Sequence, residues 1–273
     1  MELLEYYHNQ LGNCLRIQNS YYEMHIALDY GIRIMHFSRR EQENILYIQP
    51  DDVTELINGE WRNRGGHRIW IAPESNLSYC PDNEKIKYES ADDAVLLTQK
   101  KDEWLNIEKS LKIIFKDETI ELTHIAQNLN NDTMCFSVWP ITSLIPGGYV
   151  LMPFTPKREN IFSPNKTLSL WGDSTLSDEQ LIFEEDKIVL HHKMKAEQLK
   201  IGAFVKEGIV YYQLKDMTFV KSFCVDINAL YPDNGVNCEV YLCKFMIEVE
   251  SLSPMYKVNP GDKVTHKEFW KIV

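Results

Sequence analysis

Three glutamates late in the chain and one basic loop early in it are the residues whose types and spacing suit chemistry. Glu239 sits mid-strand in Asn237-Cys238-Glu239-Val240-Tyr241, and Glu248 and Glu250 stand two apart in Ile247-Glu248-Val249-Glu250. In an extended chain that spacing puts Glu248 and Glu250 on one face, with apolar residues on the other. A carboxylate inside an apolar strand is costly unless it is paired or used. Used, it can exchange a proton with a ligand or accept hydrogen bonds from it. Paired, it would answer Arg33, Arg68, Lys200 or Lys221 across the sheet. Residue types alone leave both readings open.

The basic loop is Arg62-Asn63-Arg64-Gly65-Gly66-His67-Arg68-Ile69-Trp70-Ile71-Ala72-Pro73-Glu74. Adjacent glycines permit backbone conformations closed to other residues and a close approach by another surface. Ile69-Trp70-Ile71 can anchor the segment in a core, with Trp70 itself expected there, and Pro73 ends regular pairing. The expectation is a loop outside the core that aims both His67 and Arg68 into a cleft. On that expectation Gly66→Val harms ligand binding more than stability. The alternative is a plain turn, with Arg68 paired to a carboxylate.

Other chemistries lack their motifs. There is no G-x-S-x-G, G-x-G-x-x-G, phosphate loop or H-E-x-x-H. The six cysteines (Cys14, Cys80, Cys135, Cys224, Cys238, Cys243) have no C-x-x-C spacing and read as reduced packing residues, and His191-His192 reads as an exposed tandem. No metal and no cofactor is expected. A formal charge of −11 argues against nucleic-acid and anionic-membrane partners, although one local basic pocket could still take a phosphate. The opening Met1-Glu2-Leu3-Leu4-Glu5-Tyr6-Tyr7-His8 lacks the basic and apolar regions of a secretion signal, so a cytoplasmic location is expected.

The elements that must position these residues are strands. Apolar and polar residues alternate in Cys14–Gln18, Tyr21–Leu28, Ile32–Phe37, Ile107–Phe115, Thr119–Ala126, Met134–Trp139, Thr218–Phe223, Cys238–Leu242 and His266–Ile272, with turn residues between them. Ser177 is the one candidate helix cap. Many short strands at close spacing predict an all-β fold, a single-domain antiparallel super-sandwich with few short helices.

The chain resembles the galactose-mutarotase-like superfamily, the aldose epimerases and their sugar-binding relatives. The resemblance rests on Gly31-Ile32-Arg33-Ile34 and Asn44-Ile45-Leu46-Tyr47 near the start. Near the end it rests on Phe245-Met246-Ile247-Glu248-Val249-Glu250-Ser251 and Asn259-Pro260-Gly261-Asp262. The Gly65–Glu74 stretch, Trp139-Pro140-Ile141-Thr142 and Tyr231-Pro232-Asp233 further resemble a family of uncharacterised proteins on that fold. The resemblance implies a small-molecule carbohydrate in a groove on a concave sheet face, with Glu248 as the catalytic base. Aldose epimerases carry an Asn-His-x-Tyr-Phe-Asn stretch whose histidine is the acid, but the comparable place here, Phe136-Ser137-Val138-Trp139-Pro140, has none. His67 is therefore the expected acid. Arg68, Glu239, Arg33, Lys200 and Lys221 are expected to bind the sugar, and Trp139 or Trp171, or Trp70 if it is not core, to stack on it. The expected activity is aldose 1-epimerase-like isomerisation; the alternatives are non-catalytic sugar binding and a lyase reaction on acidic sugars.

Overall fold

The computed structural model describes all residues except 50, 52, 57, 58, 155–161, 163 and 196. Alternation along the strands does what the sequence predicts: two large antiparallel sheets form and pack face to face. The first has eleven strands, and its order runs from Glu2–His8 at one edge through Gly12–Gln18, Tyr22–Ala27, Arg33–Arg39, His67–Ala72, Met134–Leu144, Ile247–Ser251, Cys238–Leu242 and Leu199–Ala203 to Leu168–Leu170. Its eleventh strand, Tyr256–Val258, pairs with Met134–Leu144 off that path. The second sheet has ten strands, with Lys263–Ile272 and Thr119–Asn128 near its centre. Side chains such as Ile34, Val138, Val249, Leu122 and Trp270 fill the space between the sheets.

Among the described residues the only helix is one turn of 3-10 helix, Asn76–Tyr79, capped by Ser75. The helix expected at Ser177 does not form. Asp178 Oδ1 instead accepts from the backbone N–H of Gln180 at 2.8 Å, a turn that leads into the strand Leu181–Phe183. No described helix is long and apolar enough to cross a membrane. The tandem histidine is not exposed as a pair, because His192 is buried, its Nδ1 accepting from Gly147 N–H and its Nε2–H donating to the Cys243 carbonyl.

The space between the sheets is not wholly apolar. Lys221 and Glu268, both fully buried, form an ion pair at 2.9 Å. Lys221 also donates to Thr142 Oγ1 and to the Val249 carbonyl, while Ser251 Oγ and Trp270 Nε1 donate to Glu268. His67 Nδ1 lies 2.9 Å from Thr142 Oγ1 and its Nε2 lies 2.8 Å from His124 Nε2. His124 Nδ1 faces the His266 carbonyl, so it must carry the proton. His124 Nε2 is then a bare acceptor, His67 Nε2–H must donate to it, and His67 Nδ1 accepts from Thr142. A buried polar network of this kind is tolerated because its members are paired.

Burial pushes the pKa of His124 down to about 4 and that of His266 to about 3. An unfolded histidine takes up a proton near pH 6.5. Between pH 6.5 and about 4 the unfolded chain therefore binds more protons than the folded one, and stability falls as pH falls. For His124 the loss amounts to about 3 kcal/mol. The raised pKa values of Glu239 and Glu250 act in the opposite direction. A comparison of urea midpoints for wild type and His124→Gln isolates the histidine contribution: the variant should vary less between pH 7 and 4.5. Parallel pH profiles for the two would show that His124 titrates normally in the fold.

Candidate functional site

The outer face of the first sheet carries the chemistry. Because the strands are in register, two rows of side chains cross it. One runs Arg68, Ile141, Glu250, Glu239, and the next runs Ser143, Glu248, Tyr241, Lys200. Trp70 and Trp139 stand opposite each other one row further on, and with Trp61 form an aromatic wall. Apart from Ser143 and Glu239, which are fully buried, these residues line a groove of about 290 Å³, small for a ligand pocket.

Charges in the groove are paired across strands. Arg68 Nη1 donates to Glu248 Oε1 at 2.9 Å, and Ser143 Oγ donates to the same oxygen at 2.8 Å. Lys200 Nζ lies 2.8 Å from Glu239 Oε2 and 3.3 Å from Glu250 Oε2, and it sits between the rings of Trp139 and Trp171, each 4.7 Å away. Trp139 Nε1 donates to Glu250 Oε2 at 2.7 Å. Both Glu248 and Glu250 are thus held by one oxygen. Among the described residues nothing bonds the other.

Environment separates the three carboxylates. Burial raises all three, but at Glu248 the charge and hydrogen bond of Arg68, with the Ser143 hydroxyl, outweigh it and hold the carboxyl below its ordinary range. Glu239 is pushed well above that range by burial and then by the charge of Glu250, with Lys200 offsetting only part. Glu250 is raised by burial against the pull of Lys200. Burial alone would lower Lys200, yet the charges of Glu250 and Glu239 keep it above normal and protonated. The groove therefore pairs one ionised carboxylate with carboxyls that retain protons to higher pH.

No family model and no curated protein matches the sequence. The fold does match solved structures. A galactose mutarotase-like protein from Lactobacillus casei superposes with a TM-score of 0.62 at 12% identity, over 95% of this chain and 100% of that one. This chain has the galactose-mutarotase-like fold. A galactose mutarotase related enzyme from Lactobacillus acidophilus superposes at 0.55 and 10% identity, over 99% and 97% of the two chains. A TPR-domain containing protein from Parabacteroides distasonis superposes at 0.65 and 14% identity; 96% of this chain is covered, but it spans only 47% of that longer one.

Within this mutarotase-like fold the structure brings together five of the eight residues expected at the site: Glu248, Arg68, Trp139 and Lys200 line the groove, and Glu239 lies beneath Lys200. Arg33 stands on the neighbouring strand, paired with Asp82 at 2.9 Å. His67 and Lys221 do not belong to the groove. The strand begins at His67, so His67 and Arg68 point to opposite faces, and His67 is 0% exposed between the sheets. Lys221 comes from the second sheet and meets Glu268 there. The Gly65-Gly66 turn is buried rather than a rim. Sequence reasoning underrated Glu250, although its two-residue spacing from Glu248 was the signal, and missed Tyr241 and Tyr79, which no local pattern marks. Trp171, the other ring expected to stack on sugar, flanks Lys200 as Trp139 does.

Among the described residues two donor sets are close enough to share a metal ion: Glu23, His25 and His36 on the first sheet, and His67, His124 and Glu268 between the sheets. In both, hydrogen bonds already engage ring nitrogens: His25 Nε2 with Glu23, His36 Nε2 with Ser38, and the His67 and His124 Nε2 atoms with each other. The rings of His25 and His36 also stack at 4.3 Å and 17°, so their in-plane lone pairs do not converge.

Proposed function

We propose that the protein binds a sugar in this groove and interconverts its anomers, with Glu248 as general base and Glu250 as general acid. The observation that carries this reading is the split between the two glutamates. They stand two residues apart on one strand face, about 7 Å at the backbone. Each has one uncommitted oxygen, and their environments push their pKa values in opposite directions. Glu248 takes the proton from the anomeric hydroxyl while Glu250 gives one to the ring oxygen. The ring C–O bond breaks to leave the open-chain aldehyde, which rotates and recloses with the two roles reversed. The aromatic wall of Trp70 and Trp139 takes the apolar face of the ring, and Glu239 tunes Glu250 and Lys200. The solved structures of mutarotase-related proteins support a sugar as the ligand; the acid differs from the His67 expected from the sequence because His67 faces the core.

Polarimetry on freshly dissolved aldoses tests the reading. The protein should speed the approach to anomeric equilibrium. The rate should fall on the alkaline side as Glu250 loses its proton and on the acid side as Glu248 gains one. Sugar binding with no acceleration over buffer would reduce the protein to a carbohydrate binder, the reading that a groove without histidine favours. Absence of binding by any aldose, aldose phosphate or sugar acid would end both.

A further inference from the structure

Beside the groove, three arginines converge without enough negative charge to balance them. His67 lies opposite Ile34, so one step along the same antiparallel pair Arg68 faces Arg33 on the outer side of the sheet. Like charges set directly opposite on neighbouring strands are destabilising. Arg64 adds a third, its guanidinium 3.9 Å from the centre of the Tyr30 ring and its Nη2 donating to Asn83 Oδ1 at 2.8 Å. Burial removes water as the remedy, because Arg33, Arg64 and Arg68 are 1%, 9% and 3% exposed. Arg33 feels the charges of both the other arginines and of Asp82. Among the described residues two carboxylates are ion-paired with them, Asp82 on Arg33 and Glu248 on Arg68; Glu60 also acts on Arg64, but its carboxylate is taken up by Arg62.

The hydrogen bonds are unbalanced in the same sense. Arg33 Nε and Nη2, Arg64 Nε, Arg68 Nε and the Tyr30 hydroxyl are buried with no partner among the described residues; the one orphaned acceptor there is Asp82 Oδ1. Five donor atoms against one acceptor, in a patch with one surplus positive charge, call for an oxygen-rich anion. Guanidinium forks match the paired oxygens of phosphate and carboxylate groups. We infer that Arg33, Arg64 and Arg68, with the Tyr30 hydroxyl, hold an oxyanion substituent, a phosphate or a carboxylate, of the ligand whose ring lies in the groove. The inference deepens the sugar reading and rests on it for the ring, but not for the anion. It makes the substrate class sugar phosphates or sugar acids rather than neutral hexoses.

Calorimetric titration of the purified protein with inorganic phosphate and, separately, with acetate tests the anion site without any sugar. Wild type should bind one of them with a dissociation constant below about 10 mM. Preference for phosphate points to a sugar phosphate, and preference for acetate to a sugar acid. Arg64→Gln should weaken that binding about 10- to 100-fold. Tyr30→Phe, which keeps the ring under Arg64 and removes only the hydroxyl, should weaken it about 3- to 10-fold and serves if the arginine variant does not fold. Failure of wild type to bind either anion, or equal binding by wild type and Tyr30→Phe together with a folded Arg64→Gln, overturns the inference. Neutral hexose binding and turnover without anion binding would leave the proposed function standing alone. Anion binding with no turnover of any sugar, sugar phosphate or sugar acid would keep the anion site and remove the function.

Discussion

Glu248→Gln should lower the mutarotation rate, measured per folded molecule, by about 10²–10⁴-fold, the usual worth of one positioned base. The substitution keeps the shape and the hydrogen-bonding reach and removes only charge and basicity. The structure adds a second effect. Glu248 is the carboxylate that answers Arg68, and Arg68 faces Arg33 across the strand pair. Breaking a buried ion pair by neutralising one partner costs roughly 3–5 kcal/mol. The variant should therefore also melt earlier, and its rate has to be read well below its melting temperature. A folded Glu248→Gln protein that turns over at the wild-type rate would remove Glu248 as base and turn the search to Glu250 and Glu74, which also line the groove, and to Glu239 beneath Lys200.

Gly66→Val should destroy the fold rather than the site. Gly66 has φ of +69°, and a Cβ there would stand 2.4 Å from the Ile34 carbonyl oxygen and 2.9 Å from Met35 Sδ. A β-branched residue in the left-handed region and an overpacked core together cost roughly 2–6 kcal/mol, much of a domain's net stability. Gly147→Val is the control: its φ is +93°, yet a Cβ there meets nothing within 4 Å, so it carries the strain without the collision. Thermal melts by circular dichroism should show Gly66→Val unfolded or far less stable, and Gly147→Val only moderately so. A Gly66→Val protein that melts like wild type and has lost only ligand binding would restore the exposed loop that the sequence suggested.

The contrast shows which information a sequence holds locally. Strand alternation was readable because each strand's burial repeats every second residue, and the central strands lie close to where the pattern puts them. The edge strand Glu2–His8 escaped notice because it is mostly exposed and its residues do not alternate in type. His67 was misplaced by parity. Once a strand starts at His67, its side chain and that of Arg68 cannot share a face, and a one-residue shift in the start decides which enters the groove. Lys221 had a local warning, since Phe219 and Phe223, two residues to either side, are buried with it. The pairing of Arg68 with Glu248 had none. Those residues are 180 positions apart, and only the strand order brings them together.

The placement of the tryptophans gives the groove its own optical reporter. Four of the six, Trp61, Trp70, Trp139 and Trp171, line it or flank Lys200, while Trp270 is sealed between the sheets. Trp139 donates its indole N–H to Glu250, so a ligand that takes up or shifts that carboxylate changes the field at an indole directly. Intrinsic fluorescence should therefore change in both intensity and emission maximum when the groove fills, with Trp270 and Trp104, which lies away from the groove, supplying a constant background. An unlabelled protein can then be titrated against a panel of ligands in a cuvette before any rate is measured.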